Sequence, residues 1–148
     1  NIDMESVEPN LKMSVERFNS SYIRESDKVA FADLMIVAEA LCSGNKNFSK
    51  NMLAQRVAII LGENFEERSE IFDTFSDLYD ERSGVWGVAH GGGKTSLDED
   101  SLATTRQYVK RLLLFFFNRL NSYDGHGAIL NELEERIEQN HLEVEFPE

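Results

Sequence analysis

The chain has 148 residues, two prolines, one cysteine and a formal net charge of −12. These numbers fit one domain with its own hydrophobic core and exclude an internal disulfide or a cysteine-rich zinc site. The acidity opposes general affinity for nucleic acid: from Glu132 to Glu148 seven Glu face one Arg. No DNA partner is therefore expected, and an RNA site needs a local basic patch or a partner's surface. The longest apolar runs, Leu112 to Phe117 and Leu34 to Ala38, fall far short of the roughly 18–20 residues that cross a bilayer. No signal-peptide pattern opens the chain, so a cytoplasmic setting without a membrane partner is expected. The sequence starts on Asn1 rather than Met, which points to a fragment or the C-terminal domain of a longer protein.

Helical periodicity dominates from one end to the other. The first predicted helix, Asn10 to Arg24, places Leu11, Val15, Phe18 and Tyr22 at three- and four-residue steps. The second, Asp27 to Ser43, has Ser26 as N-cap and Gly44 as stop. It is apolar nearly all round past its first turn, interrupted by Asp33 and Glu39, so it is expected to be the central helix. A third runs from Ser49 to Leu61 and stops at Gly62. A fourth starts at Asn64, with Glu67 in a capping-box position and an inward stripe of Ile71, Phe72, Phe75, Leu78 and Tyr79. A fifth spans Leu97 to Tyr123, and a sixth spans Ala128 to Asn140 with Leu130, Leu133 and Ile137 on one side. Only "LEVEF" near the end alternates like a strand. The fold class expected is all-α, a bundle of five to six helices in a single domain over 1–148.

Between the fourth and fifth helices lies "RSGVWGVAHGGGKTS" (Arg82 to Ser96). A phosphate loop ending in Gly93-Lys94-Thr95 requires Gly at position 88, which is Val88, and a preceding strand that is absent. The glycines read instead as breakers that end the fourth helix near Ser83. Stepping along the inward stripe from Phe75 to Leu78 or Tyr79 brings Arg82 to the same face. A guanidinium carried inward needs a partner or a cleft, and Glu39 is the candidate carboxylate. That pairing serves packing alone on the plainer reading. His90 has the chemistry of a general base near neutral pH, and Arg suits bidentate grip on a phosphate. Together they suit metal-free RNA cleavage, with His90 taking the proton of a ribose 2′-OH. Trp86 suits base stacking or, more commonly, packing at a seam. His126, in a turn, and His141, in the acidic tail, lack ligand-spaced neighbours, so no metal and no cofactor is expected. Arg106, Lys110, Arg111 and Arg119 form either a basic patch or a solvated polar face. Leu114 and Phe117 are surplus apolar groups suited to a dimer face.

"VERFNSSYIRESDKVAFADLMIVAEAL" followed by "LAQRVAIILGENFEERSEIFDTFSDLYDERSGVWGVAHGG" resembles the Apea-like branch of the HEPN superfamily. The matching positions are Arg17, Phe18, Asp33, Glu39, Ala40, Leu41, Leu78, Tyr79, Asp80, Arg82, Ser83, His90 and Gly91. The resemblance covers about Val15 to Leu120. It implies a HEPN-type helical bundle, a homodimer with two motifs in a composite cleft, and a metal-independent endoribonuclease of a defence or toxin system. It implies Arg82 and His90 as catalytic groups, Glu39 orienting Arg82, and Asp80, Ser83 and Trp86 nearby as substrate contacts. The family motif usually leaves four to six residues between Arg and His, whereas seven intervene here, Ser83 to Ala89. That departure supports the alternative implied role, a non-catalytic interaction or RNA-binding module on the same bundle.

Overall fold

The computed structural model describes residues 9–24, 26–44, 46–89, 97–120 and 122–140, with side chains described throughout except at 9–10, 83–89 and 138–140. Among these residues the chain is all-helical, in the order α1 (Pro9–Ser20), α2 (Asp27–Ser43), α3 (Lys50–Leu61), α4 (Phe65–Ala89), α5 (Glu99–Arg119) and α6 (His126–Asn140). The alternating "LEVEF" segment lies outside the described residues.

Local chemistry accounts for most of the helix ends. Ser49 Oγ accepts from the Met52 N–H to start α3, Asn64 Oδ1 accepts from the Glu67 N–H to start α4, and Asp98 Oδ1 accepts from the Asp100 N–H to start α5. Ser26 holds the cap position of α2 in extended backbone without a side-chain cap bond. The α1 helix ends four residues earlier than its apolar spacing predicts. Ser21 turns its hydroxyl onto the Phe18 carbonyl, and the Tyr22 and Ile23 amides bond only three residues back. Serine hydroxyls that compete for backbone in this way unwind a helix end. Tyr22, expected on the buried stripe, is therefore 59% exposed. The α6 helix starts two residues earlier than expected, because Gly125 adopts φ 91° and its carbonyl accepts from the Ile129 N–H.

The α2 helix is the centre of the bundle. It packs against α1, α3, α4 and α5, and Phe31, Leu34, Met35, Val37, Ala38, Leu41 and Cys42 are almost wholly buried. Burial of each large side chain stabilises by about 1.5–3 kcal/mol, which is why a helix apolar on all sides takes this place. The α3 helix lies mainly along α4. Phe75 and Leu78 of α4, Val109, Leu112 and Phe116 of α5, and Ile129 and Leu133 of α6 complete the core.

Charged and polar side chains of α4, α5 and α6 end the earlier helices. Arg111 Nη2 donates to the Leu61 carbonyl at 2.7 Å, and Arg68 Nε donates to the Gly62 carbonyl at 3.0 Å. Arg106 Nη2 donates to the Ser21 carbonyl at 3.1 Å while its guanidinium lies 4.2 Å over the Tyr22 ring. His126, expected in a turn, instead opens α6 and is 2% exposed, with Nε2 2.7 Å from the Leu41 carbonyl. Because that partner is an acceptor, Nε2 carries the proton and donates. Carbonyls in the last turn of a helix lack intrahelical donors, and these side chains supply them. Arg106 and Arg111 are thus half-buried structural groups rather than parts of a solvated face, while Lys110 and Arg119 are exposed.

Candidate functional site

The α2 and α4 helices bring Arg82 and Glu39 together: Arg82 Nη1 donates to Glu39 Oε1 at 2.7 Å. Glu39 sits on the fourth turn of α2, two residues before its buried C-terminal segment, and Arg82 follows Phe75 and Leu78 on the inward stripe of α4. The pair is neither sealed nor free. The Arg82 side chain is 24% exposed and that of Glu39 34%. The guanidinium lies 5.5 Å from the Tyr79 ring centroid, one turn back on the same helix. A guanidinium has five N–H donors, and the bond to Glu39 occupies Nη1 at a partly exposed position.

Asp80 lies beside this pair in sequence but takes a different partner. Both its carboxylate oxygens are 3.1 Å from Lys50 Nζ at the start of α3. Lys50 was not legible as a neighbour, because nothing in a lone lysine at a helix start marks the helix it faces. Glu81 accepts from the Asp98 N–H at 3.1 Å and from Ser101 Oγ at 2.6 Å. It thereby fixes the start of α5 against this end of α4.

The helix does not end near Ser83. It continues through Gly84 and Gly87 to Ala89. Glycine weakens a helix interior by about 1 kcal/mol relative to alanine but does not forbid it, and the segment contains no proline. Ala89 therefore stands seven residues, or about 10 Å along the axis, beyond Arg82. His90 lies outside the described residues, as does His141, and the side chains of Ser83 and Trp86 are outside the description as well.

Concave regions among the described residues lie elsewhere. A cleft of about 650 Å³ lies between the ends of α3, α5 and α6, lined by Ile59, Phe115 and Leu133 together with Arg68, Arg119 and Arg136. A smaller pocket of about 270 Å³ lies where the α2–α3 connection meets the start of α6. Arg82 lines neither. The buried Arg56 in the smaller pocket escaped the sequence reading, although its signal was present: a single cation inside "LAQRVAIIL", in step with Leu53 and Ile60. Burial pushes the Cys42 thiol up to about 12, with Arg56 partly offsetting it, so this cysteine is no nucleophile. Among the described residues no group of three or more His, Cys, Asp or Glu is placed to hold a metal ion, and no helix is long and apolar enough to cross a membrane.

Comparison of the chain with protein-family models, curated proteins and solved structures gives no match.

Proposed function

We propose that the chain is a HEPN-type, Apea-like domain that cleaves RNA without a metal, as part of a defence or toxin system. The reading is supported above all by the Arg82–Glu39 bond of 2.7 Å at a half-exposed position. Glu39 holds the guanidinium through Nη1, and in this reading its other donors serve a phosphate. In this reading Arg82 grips the scissile phosphate and offsets the charge that develops on it. His90 takes the proton from the ribose 2′-OH and returns one to the leaving 5′-oxygen. Asp80, beside Lys50 Nζ at 3.1 Å, serves with Ser83 and Trp86 as a substrate contact. A homodimer brings two such motifs together, and Leu114, 52% exposed on α5, suits its seam.

One observation favours the second reading, a non-catalytic interaction or RNA-binding module. The continuous helix beyond Arg82 adds to the lengthened spacing, since seven helical residues carry the backbone about 10 Å away from Arg82. The experiment that separates the two is cleavage of a structured RNA in EDTA by the wild type, Arg82→Ala and His90→Ala. The nuclease reading expects cleavage by the wild type and a loss of about a hundredfold or more in each variant. Retained RNA binding without cleavage in the wild type establishes the second reading. Equal cleavage by all three proteins identifies a contaminant and removes the nuclease assignment.

A further inference from the structure

The pocket at the start of α6 combines features that point to a ligand, and it stands independently of the nuclease reading. Arg56 on α3 is 7% exposed, and its side chain is 8% exposed. Buried guanidinium groups normally bond with several of their donors. Its guanidinium lies 5.1 Å from the Phe48 ring centroid and near Cys42, and its Nη2 forms a long ion pair with Glu134 Oε1 at 3.9 Å, beyond hydrogen-bond reach. Its charge is thus desolvated and incompletely answered, and it lines the pocket of about 270 Å³.

The opposite wall is the first turn of α6, a helix of 15 residues with no acidic side chain in that turn. Gly125 occupies the cap position and brings no side chain of its own. Gly127 lines the pocket, and a Cβ built on it meets nothing within 4 Å. The first turn of α6 is therefore unobstructed at Gly127 on the pocket side, and the helix dipole there favours an anion. The local charge agrees. Lys46 and Arg56 are answered by one carboxylate, Glu134, and Lys46 Nζ holds its other oxygen at 2.8 Å. Cys42 stays a neutral thiol, and the His126 Nε2–H is committed to the Leu41 carbonyl. Among the described residues lining the pocket, two cations thus face one carboxylate.

We propose that this pocket binds a small oxyanion of the phosphate class, gripped by the Arg56 guanidinium on one side and by the amide end of α6 on the other. The volume is below the range of pockets that take drug-sized ligands, so the occupant is a free phosphate or the terminal phosphate of a larger molecule, not a whole nucleotide.

The test is titration of the purified chain with inorganic phosphate, followed by amide and arginine side-chain NMR shifts. A saturable shift at Gly127 and Arg56 is expected. Glu134→Gln should tighten binding by removing the competing carboxylate. Arg56→Gln should weaken it about tenfold or more. Since Arg56→Gln risks the fold, Gly127→Glu provides the second variant. Its carboxylate suits a helix start and its Cβ has room, so the melting temperature should hold while phosphate binding is lost. A parallel titration with a short oligoribonucleotide, with and without a 5′-phosphate, identifies the source. Binding of the phosphorylated form alone assigns a chain terminus, and binding of inorganic phosphate alone assigns the free ion. A shift that never saturates overturns the proposal, as does binding unchanged in Gly127→Glu.

Discussion

Asp33 holds two arginines from outside its own helix. Its Oδ2 accepts from Arg24 Nε at 2.9 Å and lies 2.8 Å from Arg24 Nη2, and its Oδ1 is 3.4 Å from Arg17 Nη1. The carboxylate is 13% exposed, while the arginines are 39% and 43% exposed, so the bond matters more to the buried partner than to the cations. Asp33→Asn should cost about 1–3 kcal/mol in urea unfolding, and a change within a few tenths would mean the arginines are decorative. Cys42 gives a second check at this scale. With its thiol pushed up to about 12 by burial, it should resist iodoacetamide at neutral pH until the chain unfolds, which mass spectrometry of the labelled protein reads directly. Labelling at the rate of a free thiol would mean that the core around α2 opens readily. The same residues show where sequence speaks and where it stops. The Glu39–Arg82 bond was legible because one carboxylate interrupts an apolar helix and one guanidinium ends an inward stripe. The role of His126 was not, because its partner is a main-chain oxygen supplied by packing, which leaves no trace in residue type.

The α4 helix carries the main departure between pattern and fold at the scale of elements. Glycine is a fair signal for a helix end, yet Gly84 and Gly87 sit inside α4. Ser21 ends α1 by a different route, its hydroxyl bonding the Phe18 carbonyl. The difference is physical: glycine makes a helix costlier, while a serine hydroxyl offers the backbone an alternative. Replacing Gly84 or Gly87 by Ala should stabilise the chain by about 0.5–1 kcal/mol each, seen as a higher melting temperature and more helical circular dichroism. Destabilisation by both would place that stretch outside the helix. The other elements were legible to within a turn or so at their ends, since strong apolar periodicity fixes a helix's existence better than its last residue. Only the extents of α1, α5 and α6 shifted, where turns and a positive-φ glycine decide the boundary.

Taken whole, the molecule carries a formal charge of −12 and yet places arginines where they end helices or sit in pockets. Self-repulsion among the surplus carboxylates should therefore limit its stability at low ionic strength. Raising salt from about 10 mM to about 150 mM shortens the screening length from about 30 Å to about 8 Å. The melting temperature should rise over that range, as read by thermal denaturation. A fall would show that local pairs such as Arg24–Asp33 outweigh the global repulsion. The all-α class and the central place of α2 were legible from composition and periodicity. The pocket at Arg56 was not, because α6, far along the chain, closes it against α2 and α3. The helix-ending contacts also tie early segments to late ones. The terminal oxygens of α2 and α3 find their donors in His126 and Arg111, 85 and 50 residues further along the chain. Loss of α5 or α6 therefore leaves the last turns of the earlier helices without these partners, so the early helices are finished by tertiary packing rather than by their own sequence.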